Sequence, residues 1–285
     1  MEQLIWSKLM TMCVFWKDKA NVIHMATDSR LNNGKTTLDH CLKISRLNCE
    51  LYEADSIVGG NKILKGTVKL AISFCGGFVS AYTIKESLAE ILNQMVFVPD
   101  TSNASMDVIA EVAFNVYKKI TTAILAYYME LDGACSVYIA GFCPLSKQME
   151  MYKLSVKIDS ISNQVVYSKT KCFEQESFII DGSGATFLKK SDTLDNHFAK
   201  AYAKNKEKPL LDILYSVISD PACNSVGGSI QYAKCQSNDI TLHSMYEYNN
   251  GSVRYMRAGV DINELINDVI PLGVIIEANM IGRSI

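Results

Sequence analysis

The position with the clearest chemical meaning is a lysine in an apolar segment. Lys43 stands within Cys41–Ile44 (CLKI). An ammonium group inside a protein needs a partner, because an unpaired buried charge is costly. A buried Lys43 therefore needs an acidic partner, and Asp28, two residues after the apolar strand 22–26, is one candidate. The alternatives are a solvated strand lysine and a carboxylate that only caps its own turn.

Other chemical motifs favour neither a metal nor a cofactor. His24 and Asp28 have no third ligand in view, and a histidine in an apolar strand is typical of a core position. Gly59-Gly60 followed by Lys65-Gly66-Thr67 lacks the spacing of a phosphate-binding loop. The sequence therefore predicts no metal site and no cofactor.

The elements that must position these residues follow from apolar periodicity and turn signals. Strands are predicted over 10–16, 22–26, 38–52, 62–74, 134–142, 149–160, 164–173, 178–180, 228–235 and 239–247. Helices are predicted over 78–96, 106–131, 185–205, 209–219 and 263–269. Gly76-Gly77 should end the fourth strand abruptly.

This order favours an α+β fold in a single large domain. Strands, two helices, strands, two helices and strands do not follow the βαβ alternation of a doubly wound sheet. Antiparallel blocks separated by helix pairs suit two stacked sheets with helices outside, a four-layer αββα sandwich. The helices at 78–96 and 106–131 should pack together on one face, because their apolar stripes need a common surface.

The composition is that of a globular protein with a large core. Of the 285 residues, 48% are hydrophobic and 20% charged, and the net charge is −2. This charge gives no reason to expect nucleic-acid binding. No apolar run reaches the ~18 residues of a membrane helix, and the first residues do not resemble a signal peptide. Nine cysteines without a C-x-x-C pair favour reduced thiols and a cytoplasmic location.

Six short motifs, in order along residues 11–250, together resemble a known family. The chain resembles the N-terminal-nucleophile hydrolase superfamily, and within it the proteasome β-type subunits and their bacterial relatives. The motifs are Val22–Arg30 (VIHMATDSR), Cys41–Ile44 (CLKI), Phe74–Gly77 (FCGG), Tyr138–Phe142 (YIAGF), Ile180–Ala185 (IDGSGA) and Ser225–Gly228 (SVGG).

The resemblance implies a threonine-type peptidase or amidohydrolase. In that family, an N-terminal threonine hydroxyl is the nucleophile and its own α-amine is the base. Carried over by motif, Thr11 is the nucleophile, Asp28 the partner of the lysine, and Lys43 the cation. The resemblance also implies that Gly76 offers an oxyanion N–H and that Ser183 is a supporting hydroxyl. Ser225 matches the serine before the last glycine pair.

The chain departs from the family pattern at several points, among them Met10 in place of the glycine expected before the nucleophile. The family places its nucleophile ~16 residues before the aspartate, and counting back from Asp28 reaches Met12 rather than Thr11, so the turn at 17–21 must carry one extra residue. Ser225 also stands one residue early, with Asp220 as its nearest upstream acid. Two alternatives therefore stay open, a catalytically silent subunit with a scaffold role and an amidase that uses Cys13.

The resemblance also implies the organisation and partners of the chain. Residues 1–10 are expected to be a propeptide or N-terminal extension, 11–258 the proteasome-like domain, and 259–285 a C-terminal extension. The expected partners are a peptide or protein substrate and further copies of the chain in a ring or stacked oligomer, with neither nucleic acid nor membrane.

Overall fold

The computed structural model describes most of the chain from Thr11 onward. The described residues are 11–32, 36–55, 60–128, 133–159, 162, 164–249, 252–257, 260–272, 276 and 279–281. The predicted N-terminal extension at 1–10 and part of the loop predicted between the third and fourth strands lie outside them.

The described part of the chain is a mixed α+β structure. Its helices are α1 (Phe78–Leu92), α2 (Met106–Tyr128), α3 (Ser183–Lys189), α4 (Leu194–Lys204), α5 (Pro209–Ile218) and α6 (Ile262–Val269). Its strands are β1 (Met12–Lys17), β2 (Ile23–Thr27), β3 (Leu31–Asn32), β4 (Thr37–Leu38), β5 (Ile44–Ala54), β6 (Lys62–Gly76), β7 (Met95–Phe97), β8 (Cys135–Phe142), β9 (Met149–Ile158), β10 (Val165–Lys171), β11 (Phe178–Gly182), β12 (Gln231–Gln236), β13 (Asp239–Asn249), β14 (Ser252–Arg257), β15 (Val260–Asp261) and β16 (Asn279–Ile281).

Two large sheets contain most of these strands. The first has the order β11-β1-β2-β12-β13-β14-β15, with β16 paired to β13, and the second has the order β10-β9-β8-β6-β5-β7. In the first sheet β1 pairs antiparallel with β11, so that Met12 lies opposite Gly182 and Cys13 opposite Asp181. In the second, β5 and β6 pair with Ile44 opposite Ser73.

Three apolar clusters connect the sheets and helices. The first joins α1 and α2 to the second sheet, with Ile84 and Tyr117 fully buried in it. The second joins α3 and α5 to the first sheet, around Leu214. The third joins the two sheets, with Phe15 of β1 among its members and Tyr138 of β8 opposite. The described helices α1 and α2 pack together on one face of the second sheet, as the apolar stripes predicted.

The structure differs from the predicted elements in several places, and the strands β14, β15 and β16 were not predicted at all. The helix predicted over 185–205 is two helices, because the Thr193 side chain accepts a hydrogen bond from Asn196 N and so begins α4. The helix predicted over 78–96 ends at Leu92, and Met95–Phe97 instead pairs in parallel with β5. The strand predicted over 38–52 begins only at Ile44, after a loop held by the first sheet.

The C-terminal residues continue the first sheet. Val260 of β15 lies opposite Arg257 of β14, and β16 runs parallel to β13. The division at residue 258 stays a prediction. No helix in the described part of the chain is both long and apolar enough to cross a membrane.

Candidate active site

The ion pair predicted between Lys43 and Asp28 is present. Lys43 Nζ lies 2.8 Å from Asp28 Oδ1, and both side chains are fully buried. The carboxylate also accepts hydrogen bonds from the main-chain amides of Met12 (3.0 Å), Arg30 (3.2 Å) and Gly227 (3.1 Å). These donors hold the carboxylate in place and fix the lysine beside the first residue of β1.

Three hydroxyl-bearing residues meet at the start of the same strand. Thr11 N donates to Ser183 Oγ at 3.2 Å, and Ser183 Oγ donates to the Thr11 carbonyl at 3.3 Å. Ser225 Oγ in turn donates to Ser183 Oγ at 2.8 Å. Thr11 itself is 1% exposed. The structure thus places Thr11, Ser183 and Ser225 together, one residue away from the amide that binds Asp28.

The close approach of Thr11 and Ser183 depends on a glycine. Gly182 has a φ of 92°, in the region that favours glycine, and a Cβ there would overlap the Thr11 carbonyl oxygen. At the end of β11, Gly182 lies opposite Met12 and turns the chain into α3. The first glycine of the Gly-Ser-Gly motif therefore allows the backbone at Gly182 to lie close to the backbone at Thr11.

Gly76 lies at the end of β6, which pairs with β5, the strand that begins directly after Lys43. Its φ is 116°, and it lies opposite Cys135. Three residues earlier, Ser73 faces Ile44, the residue after Lys43. Register alone thus places Gly76 near the loop that leads to Lys43, while its oxyanion role stays a prediction.

Cys13 has a different setting from Thr11. Its side chain is fully buried between the sheets, and its thiol donates to the Phe74 carbonyl at 3.4 Å. The neighbouring Cys75 thiol has a pKa raised well above its ordinary value, first by its hydrogen bond with Cys13 and then by burial. All nine cysteines are buried and free of disulfides.

The loop before Lys43 contains contacts that the sequence analysis missed. Arg30 donates to Asp39 through Nε (2.7 Å) and Nη2 (2.9 Å), and this bond holds the pKa of Asp39 below its usual value. Gln231 of β12 bonds to the main chain of Cys41 and Lys43. Burial raises the pKa of the Cys41 thiol to about 11. The Asp-Ser-Arg run was the available sequence signal for Arg30, whereas Gln231 carried none.

A second ionic group lies on the other side of Ser183. Asp181 accepts hydrogen bonds from Lys153 Nζ (2.6 Å) and from the Tyr138 hydroxyl. It also accepts from Gly182 N at 2.7 Å. Lys153 and Tyr138 belong to the second sheet, so this group joins the two sheets next to the turn that holds Ser183.

Among the described residues, no three His, Cys, Asp or Glu side chains are grouped so as to hold a metal ion. No family model matches the chain, and no curated protein matches it.

Among solved structures, the chain is similar to Anbu (ancestral beta-subunit) proteins. The protein from Yersinia bercovieri shares 13% identity over 81% of this chain and 86% of its own, with a TM-score of 0.49. The helical assembly of the Anbu complex from Pseudomonas aeruginosa shares 13% over 92% and 93%, with a TM-score of 0.48. Anbu from Hyphomicrobium sp. strain MC1 shares 14% over 94% and 98%, also with a TM-score of 0.48.

These similarities correct the membership expected from the sequence. The chain was predicted to be an N-terminal-nucleophile hydrolase, either a proteasome β-type subunit or one of its bacterial relatives. That prediction is wrong. The similar structures are Anbu proteins, a distinct family, and at 13–14% identity with TM-scores below 0.5 the likeness assigns this chain to no family. What the chain does must therefore be argued from its own residues.

Proposed function

We propose that the chain hydrolyses amide bonds in peptides, with the Thr11 hydroxyl as the nucleophile. The observation that carries the proposal is the shared oxygen of Asp28, which accepts from both Lys43 Nζ and Met12 N. A buried cation is thereby fixed next to the residue that follows the threonine. Such a charge favours the developing negative charge on a nucleophile in a water-poor site.

The base in this proposal is the α-amine of Thr11, which is a peptide nitrogen while Met10 precedes it. The Thr11 hydroxyl would attack the Met10 carbonyl carbon, the Met10–Thr11 peptide C–N bond would break, and an ester to Thr11 would form. Water would then hydrolyse the ester, which leaves a carboxylate on Met10 and a free amine on Thr11. That amine, with an ordinary pKa of ~8, can accept the hydroxyl proton at neutral pH.

Ser183 and Ser225 are already arranged to hold that amine. In the uncut chain, Thr11 N–H donates to Ser183 Oγ, and Ser225 Oγ also donates to Ser183 Oγ. A freed amine has the same acceptor within reach. We infer that the main-chain N–H of Gly76 serves as the oxyanion donor. We also infer that the layers follow the order αββα, because the three apolar clusters join the helices to the sheets and the sheets to each other.

A catalytically silent subunit with a scaffold role is the second candidate. The observation that favours it is that Thr11 is 1% exposed, so no substrate reaches it in this state. An amidase based on Cys13 has less support, because that thiol points between the sheets. The nine free thiols support a reducing compartment such as the cytoplasm.

Intact mass and turnover of the purified chain test the proposal. We expect the wild type to lose residues 1–10 and then to hydrolyse fluorogenic peptide amides. Thr11→Ala should abolish both events, and Thr11→Ser should retain part of each. Thr170→Ala, at an exposed position of β10, is the matched control and should behave like the wild type.

Two results would contradict the proposal. One is hydrolysis by a chain that still begins at Met1, and the other is wild-type processing in Thr11→Ala. If no cut chain is found, and no turnover is found across a broad peptide set, the catalytically silent subunit is favoured.

A further inference from the structure

The side chain of Gln231 spans the gap between the two sheets at the loop that leads to Lys43. Gln231 lies on β12 opposite Thr27, one residue before Asp28, and is 5% exposed. Its Oε1 accepts hydrogen bonds from Lys43 N at 2.8 Å and from Ile44 N at 3.2 Å. Its Nε2 donates to the Cys41 carbonyl.

These contacts need a carboxamide. One end of the side chain must accept from two N–H groups and the other end must donate to a carbonyl, which neither a carboxylate nor a thioether can do. A buried main-chain group that loses its partner costs free energy. Gln231 therefore determines where the main chain on both sides of Lys43 lies.

The rest of the loop is fixed to the segment between β2 and β3. Cys41 N donates to the Ser29 carbonyl at 2.9 Å, and Ser29 Oγ donates to the Asp39 carbonyl at 2.6 Å. Arg30 binds the Asp39 carboxylate through two nitrogens. Of these contacts, only those of Gln231 reach the main chain of Lys43 itself.

We propose that Gln231 is a positioning residue that sets Lys43 for the reaction. It acts through the main chain of Lys43, while Asp28 holds the far end of the same side chain. Gln231 of β12 and Asp28, directly after β2, thus hold both ends of a lysine that directly precedes β5 of the second sheet. This inference rests on the proposed function for its catalytic consequence, but the placement of Lys43 can be measured without turnover.

The experiment compares full-length wild type with Gln231→Met, Gln231→Glu and, as an exposed control, Gln164→Met. The first readout is the rate of cleavage between Met10 and Thr11, measured by intact mass. Methionine keeps the volume and loses all three bonds, so we expect cleavage about 10- to 100-fold slower. Glutamate keeps both acceptor bonds but sets a second oxygen against the Cys41 carbonyl, so it should also cleave more slowly than the wild type, and the control should match the wild type.

The second readout is the Lys43 Nζ signal in protein labelled with [¹⁵N]lysine, assigned by its loss in Lys43→Met. Gln231→Met should shift this signal and increase the exchange rate of its hydrogens, whereas Gln164→Met should not. The melting temperature of each variant separates this effect from general loss of packing. If Gln231→Met does not fold, Gln231→Asn takes its place, because its shorter carboxamide adds no charge but cannot reach all three main-chain groups, and a smaller shift is expected.

An unchanged Lys43 signal in Gln231→Met, or cleavage at the wild-type rate, overturns the inference. A wild type that never cleaves itself removes the proposed function, yet the signal still decides the role of Gln231. Slower cleavage with a shifted Lys43 signal supports both.

Discussion

The Asp28 carboxylate accepts from one ammonium group and from the amides of Met12, Arg30 and Gly227. If the lysine were removed, three donors would still stabilise the charge. This is unlike a simple buried pair, in which loss of one partner leaves the other without compensation. The lysine can therefore be tested separately from the fold.

For Lys43→Met, we expect a loss of activity that greatly exceeds the loss of stability. Self-cleavage and peptide hydrolysis should fall by about 10²- to 10³-fold or more, because a preorganised charge is removed. Lys69→Met is the matched control, since Lys69 pairs with Asp239 on the surface, where such pairs contribute little. Rates and urea unfolding would be measured on both. Full activity in Lys43→Met would exclude an electrostatic role for this residue.

At the scale of elements, the sequence could predict most strands and helices but not their exact limits. Periodicity placed α1 and α2, because long apolar stripes of period 3.6 leave little choice. It failed at Thr193, where a local side-chain bond outweighs helix propensity. Burial cost predicted that Lys43 needs a partner, and the resemblance of the Asp-Ser-Arg run to the family motif identified Asp28 as that partner. Gln231 could not be predicted, because its three contacts arise from the stacking of two sheets, which no local pattern encodes.

Gly182, in the turn from β11 into α3, is expected to tolerate no side chain, because it lies against the backbone of Thr11. For Gly182→Ala, we expect a loss of about 1–3 kcal/mol in the free energy of unfolding, since φ is 92° and the new Cβ meets Thr11. Processing should fall as well, because Ser183 moves. Gly66→Ala is the control, since a Cβ at Gly66 meets nothing within 4 Å. Denaturant unfolding and intact mass measure both, and an unaffected Gly182→Ala would mean that the two backbones lie farther apart than described.

The Asp181–Lys153 pair should make stability depend on pH in a defined window. Burial alone raises the pKa of Asp181, but Lys153 and Tyr138 outweigh it, so that the pKa lies below its ordinary value. Burial likewise opposes a charged Lys153, but Asp181 raises the pKa of this lysine above its usual value. The Asp181 contribution is therefore complete above its unfolded pKa of ~3.9 and is lost as pH falls toward the folded value. The Lys153 contribution is lost as pH rises above ~10.5.

For Asp181→Asn, we expect the free energy of unfolding to fall by about 1–3 kcal/mol at pH 7. Its difference from the wild type should shrink below pH ~4, where the wild-type carboxylate also becomes neutral. Urea unfolding at several pH values measures this, with Asp239→Asn on the surface as the control. A difference that stays constant down to pH 2 would show that the charge of Asp181 is not responsible.

At the scale of the whole molecule, we expect the chain to associate with itself through its helical faces. Val79 and Ile91 of α1 are 55% and 42% exposed, which leaves apolar surface on a helix that already covers a core. Sedimentation at micromolar concentration should show oligomers, and Ile91→Lys should weaken them. Val166→Lys, on exposed β10, is the control. A monomer at high micromolar concentration would contradict this expectation.

The parts of the site come from almost the entire length of the polypeptide. Thr11 meets Ser183 across 172 positions, Asp28 meets Gly227 across 199, and Lys43 meets Gln231 across 188. A ribosome that has made only the first half of the chain has supplied Thr11, Lys43 and Asp28, but not Ser183, Ser225, Gly227 or Gln231. Under the proposed function, the Met10–Thr11 bond therefore stays intact throughout synthesis, and an interrupted translation product is inert. Under the proposed function, cleavage of the Met10–Thr11 bond would therefore occur only in chains whose synthesis and folding are complete.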